Sequence, residues 1–409
     1  MVTLAPGPTA KSQAGSPVRH FRTRESTRAC PFLPRRARNT DSKSARFDRV
    51  LGRRQWLLGV AGGALVSPFA ASAQVRPPAR LDLGGLPTPV SAHPRLARRL
   101  GLGSLHVKRD DRAGAIFGGS KARKLERLLA AARSEGAHAV LTFGGAGSNH
   151  ALATAVHARR VGLQAHLILL PEPPGAHVRS HLLAALNAGA RLHAGTRADR
   201  DDPALAITRF ARGEAPYVIP PGGTCAIGDL GYVDAAFELA EQIAAGDLPA
   251  PDVLYVAAGT TGTAAGLWVG LNAAGLRTRV VAVRASGRIT ANRSRVTAEV
   301  SATAALLRGF RSGFVATPLD ARFEIEDGFV GEGYARRTDA GRRASERVGG
   351  ELELDPTYTE KAFAALIARA PSHAGESVLF WHTFDPRRPP IGGARVRDLP
   401  RGLRGYARE

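Results

Sequence analysis

Lys121 opens a helical pattern directly after Gly118, Gly119 and Ser120, ahead of Leu125, Leu128 and Leu129. An amine held there, out of water and beside the positive end of a helix, is biased toward its neutral form. A neutral amine is a nucleophile toward an aldehyde and a base once freed. A solvated first-turn lysine is the alternative, and Lys124 on the same helix competes for the role. The second stretch that could do chemistry is 259–263, where Gly259, Thr260, Thr261, Gly262 and Thr263 join an apolar strand to a helix. Glycines let backbone N–H groups approach an anion, the helix start adds partial positive charge, and three hydroxyls add donors, which together make a phosphate cradle. The stretch lacks the Gly-Lys-Ser/Thr of a nucleotide loop and the GxGxxG pattern. A tight turn with hydroxyl caps would use the same residues. The third stretch is 144–155, again strand to helix, in which Ser148 and Asn149 either face the crevice beyond the strand or cap the helix.

The elements that must position these residues follow a simple rhythm. Short apolar runs at 104–111, 139–145, 164–170, 191–195, 216–219, 252–259 and 277–286 read as strands. Helical spacing falls between them at 121–134, 151–161, 181–189, 232–245 and 263–274. The alternation predicts an α/β protein with open, mostly parallel sheets flanked by helices. A chain of 409 residues has room for about two domains.

The formal charge is +22, but residues 1–74 hold 13 Lys/Arg against 3 Asp/Glu, so +10 lies outside the regular part of the chain. The remaining arginines are dispersed, without aromatic interleaving or a helix-turn-helix or OB pattern, and nucleic acid is not expected as a partner. Of two cysteines, only Cys225 lies in the body, which is therefore expected to hold one thiol and no internal disulfide. No Cys/His spacing suggests a metal. Residues 1–51 are rich in Arg, Ser and Pro and predict a disordered basic extension. Residues 52–73 combine Arg53 and Arg54, an apolar run of about 15 residues and Ala71-Ser72-Ala73. That pattern resembles a twin-arginine export signal, which implies a periplasmic protein without stable membrane association after cleavage. A surface helix in a basic tail, in a cytoplasmic protein, is the alternative. The depth of the signal suggests a true start near Val50.

Taken together and in this order, LPTPV, VKRDD, GGSKARKLE, SNH, PGGTCAIGDLGYVDAAFE, AAGTTGTAAGL, GYARRT and LDPTYTEKAFAAL resemble landmarks of one family. It is the family of 1-aminocyclopropane-1-carboxylate deaminase and D-cysteine desulfhydrase, fold-type II pyridoxal phosphate enzymes. The resemblance runs from about Leu86 to Thr383. It implies a tryptophan synthase β-like architecture with pyridoxal 5'-phosphate in the cleft between domains. The large domain would comprise 76–123 and 236–409, and the small domain 124–235. Lys121 would hold the cofactor as a Schiff base, Asn149 would bond its phenolic oxygen, and Gly259, Thr260, Thr261, Gly262 and Thr263 would bind its phosphate. Ser148 would contact the substrate carboxylate or assist proton transfer, and Tyr334 and Tyr358 would lie near the substrate. Thr383 falls where desulfhydrase-like members place a threonine beside the pyridine nitrogen. The deaminase proper places a glutamate where Thr359 stands here. A hydroxyl partner leaves that nitrogen neutral, which suits loss of a β-leaving group. The resemblance therefore implies a lyase that converts a small amino acid to pyruvate, ammonia and sulfide, and a homodimer. The alternatives are cyclopropane deamination, a racemase or dehydratase on the same fold, or an exported protein that binds cofactor or amino acid without turnover. Departures from the family pattern stand at Gly147 (usually Gln), Leu152 (commonly Arg), Glu360 (Gly expected) and Phe384-Asp385 (usually Gly-Gly).

Overall fold

The structure is a computed structural model that describes residues 76–408 apart from 212. The expected basic extension and export signal lie outside the described residues. Ten strands form two sheets: β1 (Val90–Ala92), β2 (Ser104–Lys108), β3 (Ala139–Gly145), β4 (Gln164–Leu170), β5 (Arg191–Ala194), β6 (Tyr217–Ile219), β7 (Val253–Ala258), β8 (Arg279–Arg284), β9 (Phe323–Glu326) and β10 (Ser377–Trp381). The larger sheet has the order β1-β2-β10-β7-β8-β9 and the smaller β5-β4-β3-β6. Every pairing is parallel except that of β1 with β2.

Two-sided burial explains the unbroken apolar runs. In β7, Leu254, Val256 and Ala258 pack into one core with Trp268, while Val253, Tyr255 and Ala257 pack into another with Phe363 and Phe380. The period of two thus places successive residues on opposite, equally dry faces. In the smaller sheet, Leu167 and Leu169 serve one core and Ile168 the other. The chain's last residues return to this smaller sheet, where Leu399, Leu403 and Ala407 join its core.

One helix starts earlier than its spacing predicts, at Ala226 in place of Tyr232. Gly228 and Gly231 look like breakers in the sequence but are contact points in the fold. A Cβ on Gly231 would sit 2.2 Å from the carbonyl oxygen of Arg123, and one on Gly228 2.1 Å from that of Gly223. Gly231 lets helix Ala226–Ala244 lie close against helix Ser120–Ser134, which carries Lys121, and Gly228 lets it fold tightly against the turn at Gly223. Cys225, just ahead of helix Ala226–Ala244, is buried. Among the described residues no helix is long and apolar enough to cross a membrane, and no His/Cys/Asp/Glu cluster could hold a metal ion.

Candidate active site

The carboxyl ends of both sheets' strands face one cleft, where open α/β sheets bind ligands. It contains a cavity of about 370 Å³. Lys121, Ser148, Asn149, Gly259, Thr260, Thr261, Thr263, Tyr334, Tyr358 and Thr383 line that cavity, and of the residues assigned to cofactor or substrate only Gly262 does not.

Lys121 enters from helix Ser120–Ser134, whose start answers to its two glycines. Gly118 and Gly119 have φ of 155° and 52°, and the first turn holds no acidic residue. A Cβ on Gly119 would lie 2.5 Å from the carbonyl oxygen of Thr383, so only glycine permits this close approach. The described lysines other than Lys121 have partners. Lys108 bonds Glu238 and Gln242, Lys124 bonds Asp229 at 2.9 Å, and Lys361 bonds the carbonyls of Val330 and Gly333. Lys121 Nζ has none among the described residues and faces the cavity. Burial, reinforced by the neighbouring Lys124 charge and partly offset by Asp355 and Asp229, lowers its pKa from 10.5 to about 7. The geometry therefore favours Lys121 over Lys124 as the reactive amine.

Across the cavity, β7 ends and 259–263 turns into helix Gly262–Ala273. Thr261 takes the left-handed conformation, φ 72°, and makes no side-chain cap. The first N–H groups of that helix have no capping side chain, and no acidic residue stands in the first turn. The hydroxyl of Thr260 meets that of Thr224 at 2.6 Å, and Ser286 Oγ donates to the carbonyl of Gly259 at 2.6 Å. A Cβ on Gly259 would come within 2.9 Å of the Tyr358 ring. Gly262 stays off the cavity surface for a physical reason. A Cβ there would meet Asp229 Oδ1 at 2.2 Å and Lys124 Nζ at 2.5 Å, so its bareness admits the buried Lys124–Asp229 pair beneath the turn.

Ser148 both lines the cavity and caps helix Asn149–Arg160, accepting from the Ala151 N–H at 3.3 Å. Asn149 also lines the cavity, and its Oδ1 lies 2.8 Å from His181 Nε2. Burial holds His181 neutral, with a pKa lowered to about 3. On the other wall the Tyr358 hydroxyl donates to that of Tyr334 at 3.4 Å. Burial pushes the Tyr358 pKa up to about 12, so it keeps its proton at neutral pH. Thr383 lines the cavity after β10, and its carbonyl accepts from the Ser120 N–H at 3.1 Å. Thr359 does not face the cavity. It is fully buried and exchanges hydrogen bonds with Asp355, as donor to Oδ1 and acceptor from the backbone N–H, both at 2.7 Å.

The departures from the family pattern have partners of their own. Asp385 accepts from the Gly118 N–H at 2.9 Å and pairs with Arg387, which also donates to the carbonyls of Ala113 and Ala115. This clasp grips the hinge ahead of Lys121. Gly147 is held by Glu172 on its N–H at 2.8 Å and by His177 on its carbonyl at 2.9 Å, and a Cβ there would press on His177 and Val178 at 3.0 Å. Buried Glu360 binds Arg337 and Ser345, which ties down the segment carrying Tyr334. Leu152 is simply part of the smaller sheet's core. Sequence reasoning missed Asp355, Asp385 and His181 as supports of the site. Asp355 sits in a quoted landmark, but nothing in the local text signals its role.

An unpaired amine near neutrality and an uncapped, acid-free helix start with bare glycines share one cavity, and this donor set fits an aldehyde that carries a phosphate. The fold and site together define a pyridoxal phosphate enzyme of fold type II. The chain belongs to the pyridoxal-phosphate dependent enzyme family, whose model matches residues 81–383. It is 38% identical over 292 residues to nocardicin C-9' epimerase of Nocardia uniformis subsp. tsuyamanensis, covering 69% of this chain and 86% of that protein. It is 36% identical over 299 residues to D-cysteine desulfhydrase of Salmonella choleraesuis (strain SC-B67), covering 70% and 87%. The crystal structure of an ACC deaminase homologue superposes with a TM-score of 0.65 at 33% identity, covering 76% of this chain and 93% of that one. A serine racemase from Dictyostelium discoideum, at 15% identity and TM-score 0.52, shares the fold.

Proposed function

We propose that this enzyme catalyses β-elimination from a small amino acid, with D-cysteine and water giving pyruvate, ammonia and hydrogen sulfide. The observation that carries this reading is the pair Thr383 and Thr359. A hydroxyl residue faces the cavity where desulfhydrase-like members place one, and the residue at the deaminase's glutamate position is buried off the cavity and bonded to Asp355. The desulfhydrase relative supports the same assignment.

When bound, pyridoxal phosphate supplies a conjugated ring that stabilises negative charge at the substrate Cα. Lys121 Nζ takes the Cα proton, which its pKa of about 7 suits it to do at neutral pH. The C–S bond breaks with its electron pair going to sulfur, and the protonated Tyr358 hydroxyl is placed to donate to the departing atom. The start of helix Gly262–Ala273 would hold the cofactor's phosphate, and Asn149, steadied by His181, would bond its ring oxygen. Ser148 lies where it can receive the substrate carboxylate.

The epimerase relative favours a second reading, inversion at Cα, which needs the same proton removal by Lys121 but no leaving group. Incubation with D-cysteine and with both serine enantiomers separates the two. Pyruvate from D-cysteine supports elimination; stereochemical inversion without keto acid supports epimerisation. Loss of pyruvate formation in Lys121→Ala is expected in the first case. We further propose a homodimer, as the family resemblance implies. We also propose export by the twin-arginine route, which carries folded proteins and so allows the cofactor to be loaded in the cytoplasm. Cell fractionation with amino-terminal sequencing tests the export, and an intact residue 52–73 segment in a cytoplasmic protein would reject it.

A further inference from the structure

The inner part of the cavity is accounted for by the amine, the threonine turn and the Ser148–Asn149 turn. Its outer part is not. There Arg197 and Arg200 line the cavity from the short helix Arg197–Asp201 that follows β5, opposite Gly287 and Thr290 from beyond β8. Three residues apart, they share one helix face.

The helix is a braced platform. Thr196 and Asp199 form a reciprocal capping box, and fully buried Asp199 also pairs with Arg209. The buried acid on this helix is thus spent on its own start and on Arg209, and does not neutralise the mouth. Arg200 pairs with Asp201 at 2.9 Å. Arg197 has no hydrogen bond or ion pair among the described residues. The two acids lining the cavity also have partners of their own. Asp355 accepts from the N–H groups of Thr357, Tyr358 and Thr359, and Asp385 from Gly118 and Arg387. Glu172, next to the lining residue Pro171, accepts from the Gly147 N–H, and Arg197 is left as the charged side chain of this mouth without a partner among the described residues.

We propose that Arg197, with Arg200 beside it, forms a subsite for an anionic tail on the substrate, so that the preferred substrates are amino acids whose β-leaving group ends in a carboxylate. This rests on the lyase reading. A guanidinium fork matches a carboxylate in two-point geometry, which a neutral amide of the same shape does not reproduce. With S-(carboxymethyl)-D-cysteine the Cα proton goes to Lys121, the Cβ–S bond breaks with its electron pair on sulfur, and sulfur leaves protonated as thioglycolate. Water then completes the release of pyruvate and ammonia.

The test compares kcat/KM for pyruvate formation from S-(carboxymethyl)-D-cysteine and its neutral isostere S-(carbamoylmethyl)-D-cysteine, with D-cysteine alongside. The expected ratio of acid to amide is about 3-fold or more, in keeping with a partly exposed ion pair. It falls to about 1 in Arg197→Gln. A wild-type ratio near 1, or a preference that survives in Arg197→Gln and in the double variant with Arg200→Gln, overturns the subsite. If none of the three compounds, D-cysteine included, yields pyruvate, the lyase reading fails on its own. The tail preference is then read from dissociation constants, followed through the visible spectrum of the cofactor-loaded protein. Tighter binding of the acid, lost in Arg197→Gln, keeps the subsite; equal binding of acid and amide overturns it.

Discussion

The ionisation of Lys121 can be measured directly, without turnover. At a pKa of about 7, about half of the amine is neutral at pH 7, against about 3 × 10⁻⁴ for a lysine at the ordinary 10.5, a gain of about 10³-fold in reactive species. The neutral fraction rises with pH through 7, so acid silences the amine and mild alkali does not. Burial is the main cause and Lys124 the second, and Lys124→Met removes the second while unmasking the Asp229 carboxylate, both of which favour the charged amine. A like charge close by shifts a neighbouring amine down, and 1.36 kcal/mol corresponds to one pH unit. Asp229 already offsets part of the Lys124 charge, so the variant's midpoint should move up by about one pH unit. The chain has six lysines, which suits ¹³C reductive methylation of the cofactor-free protein followed by NMR titration. Lys121→Arg assigns the resonance. A Lys121 signal with its midpoint above pH 9, or one unmoved by Lys124→Met, refutes the account of how this amine is activated.

Gly262→Ala should place a methyl group 2.2 Å from Asp229 Oδ1 and force open the buried Lys124–Asp229 pair, at a cost of about 3–5 kcal/mol in urea unfolding. A variant as stable as the wild type would show that the pair can shift freely. Asp385→Ala removes the acceptor of the Gly118 N–H and strands Arg387, with an expected loss of about 1–3 kcal/mol in stability. It should also lower kcat more than it changes KM, because the hinge that aims Lys121 is loosened; an unchanged kcat alongside lowered stability would limit the clasp to folding.

Legibility in the sequence followed the range of the interactions. β3 and β4 are read to the residue at 139–145 and 164–170, because two-sided burial leaves an unbroken apolar run. The phosphate turn and the Lys121 helix are equally local, since glycines, hydroxyls and spacing all lie within one short window. The start of helix Ala226–Ala244 is not legible, because the value of Gly231 lies in a neighbour about a hundred residues earlier in the chain. Asp385 bonds a residue 267 positions away and His181 one 32 positions away, and no local pattern encodes such partners. The departures at Gly147, Glu360 and Asp385 looked like eroded motif positions and are contacts with partners of their own.

The carboxyl-terminal return to the smaller sheet has a mechanical consequence. The polypeptide passes between the sheets three times, after β2, after β6 and after β10, before Leu403 and Ala407 settle. Bodies joined by a single tether can swing in any direction, whereas three tethers restrict them to small hinge or shear displacements. A dye placed beside Tyr406 therefore rides with the smaller sheet, although it follows the larger sheet's strand in the chain. Its distance to helix Asp339–Val348 reads the breathing of the cleft as a single coordinate.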